Sequence, residues 1–271
     1  MKVIIMHDFL NYLKRSYKGW KIQKNVIRAL VYRELKTQIN KSNFGLFGII
    51  LEPLLNISIF IIIFSFFRIK DSYGLNIFIF LGTGFIFWRF FATLLNQSLN
   101  AIEANKSLFL YRRVKPIDTL LARWLIQFFL NLLIYFGLIS LSLFNNIVVL
   151  KNFPLLIICY FTVSILFLGI SITMMIVGSR FSWIKLTMPF LIRPLFFTSG
   201  VIFTINDVPR NFHPYLTWNP VIHSIEIARH SFTDEFPLNE SVSYSFLLIT
   251  SFVMITFSLL MYERNKLSLV K

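Results

Sequence analysis

PLLIICYFTVSILFLGISITMMIVG, residues 154–178, runs for 25 residues without a charge. At 1.5 Å per residue a helix of that length more than crosses a hydrocarbon core of about 30 Å, for which roughly 20 residues suffice. Five similar runs lie around it, at residues 46–67, 75–95, 119–143, 186–205 and 241–261. Together the six make up about half of the 271 residues, yet of the 27 Lys and Arg and 12 Asp and Glu they hold only Glu52, Arg89, Arg123 and Arg193. Backbone polar groups in lipid must be satisfied within the spanning segment, and runs of this length do so as helices. The expected fold is an all-α integral membrane protein with six transmembrane helices.

Composition agrees, with 56% hydrophobic residues, 32 Phe, a mean hydropathy of +0.69 and 14% charged residues, against roughly 25% in soluble domains. The formal net charge is nevertheless +15. A nucleic-acid binder would not carry this apolar load, nor a disordered basic tail these aromatics, so no nucleic-acid partner is expected. The basic residues are placed unevenly. The N-terminal arm, residues 96–118, residues 179–185 and the tail hold 19 of them, and the remaining loops five. By the positive-inside rule both termini are cytoplasmic, with +14 on that side and −1 on the other. The short apolar stretch Val3 to Met6, followed at once by His7 and Asp8, does not read as a cleavable signal. Cys159, the one cysteine, reads as a buried apolar residue.

Residues 20–42 place Ile22, Val26, Ile27, Leu30, Val31, Leu35 and Ile39 at helical spacing with basic residues between. This predicts an N-terminal amphipathic interfacial helix, or one packed on a soluble partner. Residues 100–116, NAIEANKSLFLYRRVKP, are too polar to cross and too patterned for a plain loop. They read as a short cytoplasmic helix that docks another protein, or as a solvated connector. Residues 206–240 hold four of nine prolines, and Asn219-Pro220 reads as an N-cap opening a short outer re-entrant or interfacial helix to about residue 233.

The four charges within the runs fall at similar depth, about 8 to 12 Å from the cytoplasmic ends. Either Glu52 pairs with Arg89 or Arg193 near the inner mouth of a pathway, or the arginines snorkel and Glu52 is protonated or capped by backbone freed at Pro53. No nucleotide-cradling loop, zinc-protease motif or nucleophile elbow occurs. His223, Glu226 and His230 share one helical face and could ligate zinc, but read as ordinary polar surface. Hence no catalytic, cofactor-binding or metal-binding residue is expected, and the chain is not expected to be an enzyme.

Three stretches carry a resemblance. The first is AIEANKSLFLYRRVKPIDTLLAR at residues 101–123; the second is Arg33-Glu34-Leu35, then Phe44-Gly45, then Leu51-Glu52-Pro53; the third is Trp218-Asn219-Pro220, His223, Glu226 and Arg229. They resemble the type-2 ABC exporter permeases of bacterial capsular-polysaccharide export, the first block that branch in particular. Arg193-Pro194 also resembles a basic-Pro pair in the family's fifth span. The resemblance covers roughly residues 25–262, and departs at Gly48, where the family often has Trp, and in RFSWIK at residues 180–185, which lacks the usual acidic residue.

The resemblance implies a multi-pass homodimer in the bacterial inner membrane, joined to a separate ABC ATPase that holds the ATP and Mg. Periplasmic and outer-membrane export proteins would be further partners, and membrane lipids the surroundings. Residues 1–45 become a cytoplasmic arm, 46–261 the membrane domain and 262–271 a tail. Glu103, Lys106, Phe109, Arg112, Arg113 and Lys115 belong to the coupling helix at about residues 100–116. Glu52, Arg89, Arg123 and Arg193 are inner-mouth charges. Trp218, Asn219, Pro220, His223, Glu226 and Arg229 belong to the outer gate at about residues 206–240. Tyr73, Trp88, Phe196, Phe197 and Phe203 are the aromatics able to stack on sugar rings. The expected cargo is capsular polysaccharide, in lipid-linked form; the alternative is an ABC permease for O-antigen, teichoic acid or a small drug.

Overall fold

Because lipid offers no hydrogen bonds, each apolar run is helical, and polar caps mark where the chain leaves. The structure, a computed structural model, describes residues 2–41, 45–66, 74–111, 113–144 and 150–269. Tyr73 and Arg112 lie outside them. In chain order the helices are α1 (Lys2–Lys41), α2 (Gly45–Phe66), α3 (Ile77–Leu99), α4 (Ala101–Ala104), α5 (Pro116–Phe144), α6 (Phe153–Arg180), α7 (Ser182–Thr198), α8 (His213–Leu216), α9 (Pro220–His230) and α10 (Tyr244–Asn265). Among the described residues there is no strand.

Side chains before the helices fix several starts. Asn76 accepts the Phe78 N–H at 2.9 Å, Asn152 the Leu155 N–H at 3.1 Å and Ser243 the Phe246 N–H at 3.3 Å, each satisfying an amide that the first turn leaves free. At α5, Asp118 accepts the Lys115 N–H at 2.9 Å.

Among the described residues five helices, α2, α3, α5, α6 and α10, are long and apolar enough to cross a membrane. The run at 186–205, expected as one crossing, is divided. α7 has 17 residues and two internal prolines, giving about 25 Å of helix. The chain then turns at Gly200, whose φ of +70° suits glycine and few other residues. Even so, α7 joins the two ends of the bundle. Near its start Lys185 pairs with Glu103, beside the end where Arg180 bonds Asn265. Past its C-terminus, the Ser199 hydroxyl accepts from the Asn219 side chain at 2.9 Å, and the segment that follows reaches Ser231, whose carbonyl accepts the Asn152 N–H at 3.0 Å. The first of these is called the basic end below.

α3 is the central helix, buried along most of its length and packed on α2, α5, α6, α7 and α9. Where α3, α5 and α6 meet, Phe87, Phe90, Phe128, Tyr135, Tyr160 and Phe167 interlock, with Phe90 stacked on Tyr160 at 5.9 Å and Phe167 edge-on to Phe90 at 5.4 Å. Cys159 is fully buried there, as its apolar surroundings predict.

α1 differs from the helix expected at 20–42. It is 40 residues long, and its apolar ridge is half-buried against the bundle rather than free, with Leu30 buried and α1 packed along α5 and α2. Three polar contacts hold it: Gln23 to Asp118, Arg33 to Asn105, and Glu34 to Arg123 at 3.2 Å.

Candidate functional site

Two stretches of α1 and α2 lean on α3 and α5 at the basic end, and between them opens a polar cleft of about 600 Å³. Its charged walls are Glu34, Glu52, Arg89 and Arg123, its neutral polar ones Thr37, Gln38, Thr93, Asn96, Gln97, Asn100 and Gln127. Arg123 is buried and committed: its Nε donates to Glu34 and its Nη1 to the Gln97 carbonyl at 2.7 Å. Arg89 faces Glu52, whose charge acts on it, but no ion pair closes between them. Its Nη1 is buried and without a hydrogen-bond partner among the described residues, as is Gln97 Oε1. Pro53 lacks the N–H that would bond the Ile49 carbonyl in a regular helix, and Ile49 also lines the cleft.

Three of the four intramembrane charges thus meet, and the fourth does not. Arg193 is exposed, its guanidinium 6.0 Å from the Phe190 ring. Arg193 does not line the cleft, and of the two arginines expected to face Glu52 it is Arg89 that shares this space with it. Glu34 supplies the carboxylate that Arg123 needs; it stands in the polar arm, so a search of the apolar runs passes over it. The pattern Arg33-Glu34-Leu35 was the signal that could have found it.

The stretch at 100–116 is an elbow rather than one helix. α4 spans four residues, a 3₁₀ turn covers Lys106–Leu110, and Asn105 ties the two by donating to the Ala101 carbonyl at 2.9 Å. Asn105 also accepts from Arg33. Phe109 points inward and is buried, whereas Leu110 is 87% and Tyr111 68% exposed. Lys106, Arg113 and Lys115 are exposed, while Glu103 is held by Lys185. The apolar surface offered outward is therefore Leu110 and Tyr111, not Phe109.

The aromatics divide similarly. Trp88 is buried and packs edge-on to Phe196 at 5.8 Å, and Phe196 meets Phe85 at 5.4 Å, which meets Phe60 at 4.5 Å. Phe60 and Phe85, absent from the sequence-based set, complete this cluster of α2, α3 and α7. Phe197 is exposed, and Phe203 lies apart, in the turn after α7.

At the far end α9 departs most from expectation. Asn219 caps it as its sequence predicts, accepting the Val221 N–H at 3.0 Å. α9 ends at His230 rather than near residue 233, and residues 221–229 are all buried against the bundle. Trp218, in contrast, is 84% exposed. Arg229, wholly buried, donates to the carbonyls of Phe80, Gly200, Val201 and Phe203 and to Glu226, at 2.7 to 3.2 Å. Its guanidinium also lies 3.5 Å from the centre of the Phe80 ring, a cation over an aromatic face. Glu226 accepts from Thr204 at 3.2 Å. Burial pushes the Glu226 carboxyl up and Arg229 down, each opposed by the other's charge.

His223 and His230 are not free polar surface. His223 Nε2 lies 2.8 Å from the Thr217 carbonyl while Nδ1 accepts the Ser243 N–H at 3.0 Å, which fixes the tautomer and leaves neither nitrogen for a metal. His230 Nδ1 bonds the Phe236 carbonyl at 2.8 Å. Burial lowers the pKa of His223 from the usual 6.5, so the unfolded chain takes up that proton first. Stability present above about pH 6.5 is then lost as pH falls below it. The thermal midpoint of the full chain in detergent should drop on going from about pH 7 to about pH 5, and His223→Gln should flatten that part of the profile. An identical pH profile in the variant would refute this.

The family model described as ABC-2 type transporter matches residues 25–233. The polysialic acid transport protein KpsM of Escherichia coli is 31% identical over 249 residues, 92% of this chain and 96% of its own. The capsule polysaccharide export inner-membrane protein BexB of Haemophilus influenzae is 27% identical over 253 residues, 89% of this chain and 91% of its own. CtrC of Neisseria meningitidis serogroup A, with the same description, is 27% identical over 215 residues, 77% of this chain and 79% of its own. The match runs from the packed half of α1 through the cleft and elbow to the buried outer helix, and the chain belongs to the ABC-2 type transporter family, a family of non-catalytic membrane permeases.

Proposed function

We propose that this chain is the membrane subunit of an ATP-driven exporter that moves capsular polysaccharide, in lipid-linked form, across a bacterial inner membrane. The observation that carries the reading is similarity along nearly the whole length to proteins from three genera whose names all specify capsule or polysialic acid transport. A permease of this family implies an ATPase subunit. In this reading the basic end is cytoplasmic, and α7 with the turn at Gly200 makes a sixth crossing. The chain pairs with a second copy. The elbow, presenting Leu110, Tyr111, Lys106, Arg113 and Lys115, seats on the ATPase, which holds the nucleotide and Mg.

The physical reading of transport follows from the layout. The elbow joins α3 and α4 to α5, so a push on it moves two walls of the cleft. The outer segment is locked to α3 by Arg229, which keeps the far end closed while the basic end is open. Sugar polymer passing between two such subunits meets amide and hydroxyl groups first and the aromatic cluster of Trp88, Phe85 and Phe196 above them. Domains divide as arm 1–45, membrane domain 46–261 and tail 262–271.

Deleting the gene from its capsule-bearing host should remove polymer from the cell surface and accumulate it inside, both restored by the wild-type chain. Surface polymer measured by antibody or sugar analysis and found unchanged would overturn the cargo assignment.

A further inference from the structure

The cleft at the basic end contains two buried polar atoms that the described protein does not satisfy, and they are of opposite kind. Arg89 Nη1 carries hydrogen to donate, and Gln97 Oε1 can only accept. A buried polar atom left unpaired is costly, by about 1 to 3 kcal/mol, and more if charged. Both line the same space. A group that reached both would accept from one and donate to the other.

Two candidate chemistries separate on this point. A phosphate or carboxylate offers acceptors alone; it would suit Arg89 but not Gln97 Oε1. A hydroxyl offers both. The charge balance points the same way, because Glu34 and Glu52 offset Arg89 and Arg123, and Arg123 is already bonded to Glu34 and a carbonyl. The rest of the wall includes four further side-chain amides, Gln38, Asn96, Asn100 and Gln127, each able to give and take a hydrogen bond. At about 600 Å³ the cleft lies within the roughly 300 to 1,000 Å³ of small-molecule sites.

We propose that this cleft is a binding site for the hydroxyl groups of a sugar chain, with Arg89 donating to one hydroxyl oxygen and Gln97 accepting from a hydroxyl of the same segment. It rests on the capsule-export reading and assigns to it a specific recognition site. Thr93 and Asn96 on the same face of α3 supply the next contacts. The lipid anchor is not what this site holds.

The test uses the full chain in lipid nanodiscs with Trp20, Trp124, Trp183 and Trp218 replaced by Phe, so that the emission is that of Trp88, the neighbour of Arg89 on α3. The probe is polymer released from the surface of wild-type host cells. Polymer should change the emission, and Arg89→Met and Gln97→Leu should each weaken binding about tenfold or more, the loss of one hydrogen bond to a buried group. Arg89→Lys, which keeps a donor, should fall between. In the deletion strain the same two variants should reach wild-type levels in the membrane yet restore little surface polymer. Wild-type affinity in both variants, no response to polymer in the wild type, or displacement of polymer by inorganic phosphate would each overturn the site. If the deletion itself leaves surface polymer unchanged, the capsule reading fails. If the deletion removes it and both variants restore it, only the sugar site fails.

Discussion

Arg229→Ala should lower the thermal midpoint of the full chain by about 10 °C, corresponding to about 3 to 5 kcal/mol. The alanine leaves four carbonyls in the closed far end without their donor, and it leaves the Glu226 carboxylate, itself wholly buried, without a counter-charge. Breaking a buried pair from one side costs more than removing both partners, because the orphaned charge stays desolvated. The double variant Glu226→Ala with Arg229→Ala should therefore recover part of the loss. Lysine should not rescue, since a single ammonium has three donors on one point and cannot reach carbonyls from two separate segments. A midpoint for Arg229→Ala within a degree or two of wild type would refute this account.

Gly169→Leu should separate α6 from α10, at a cost of about 2 kcal/mol or more. A Cβ at Gly169 would stand 2.9 Å from both the Ile255 nitrogen and the Met254 carbonyl carbon, so the new side chain meets rigid helix backbone. Close helix approach through small residues is the common means of association in lipid, where no hydrophobic force draws helices together. The readout is the thermal midpoint of the full chain in detergent, which the leucine should lower by several degrees. A midpoint equal to that of the wild type would show that the two helices accommodate the side chain without penalty.

How much was legible in the residues depends on what signal the physics leaves in them. The run at 154–178 became α6, Phe153–Arg180, with ends close to those drawn from hydropathy, because lipid selects length and apolarity over the whole helix. The run at 186–205 became α7 and a turn rather than one helix, because its last residues, SGVIFTI, are as apolar as a span but do not continue the helix. They are buried by protein instead, and apolarity does not say which solvent replaces water. HSIEIARH read as surface for the converse reason. Its charges are tolerated inside because carbonyls from α3 and the turn after α7 satisfy Arg229, and no periodicity in one segment announces partners in another. Glu34 was hidden in the same way, as a polar residue in a polar arm whose partner, Arg123, lies 89 positions away.

Arg33 and Glu34 are neighbours on α1 and grip different parts of the molecule. Arg33 bonds Asn105, the hinge residue of the elbow, and Glu34 bonds Arg123, which in turn holds the Gln97 carbonyl at the cleft wall. Successive residues of a helix are rigidly coupled, only 1.5 Å apart along its axis. α1 is thus a connecting rod with two pins at one point along its length. If the elbow shifts and its bond to Arg33 holds, Glu34 and the arginine it grips are dragged along, and the cleft changes shape in the same stroke. Cutting either pin would let the elbow shift while the cleft keeps its shape.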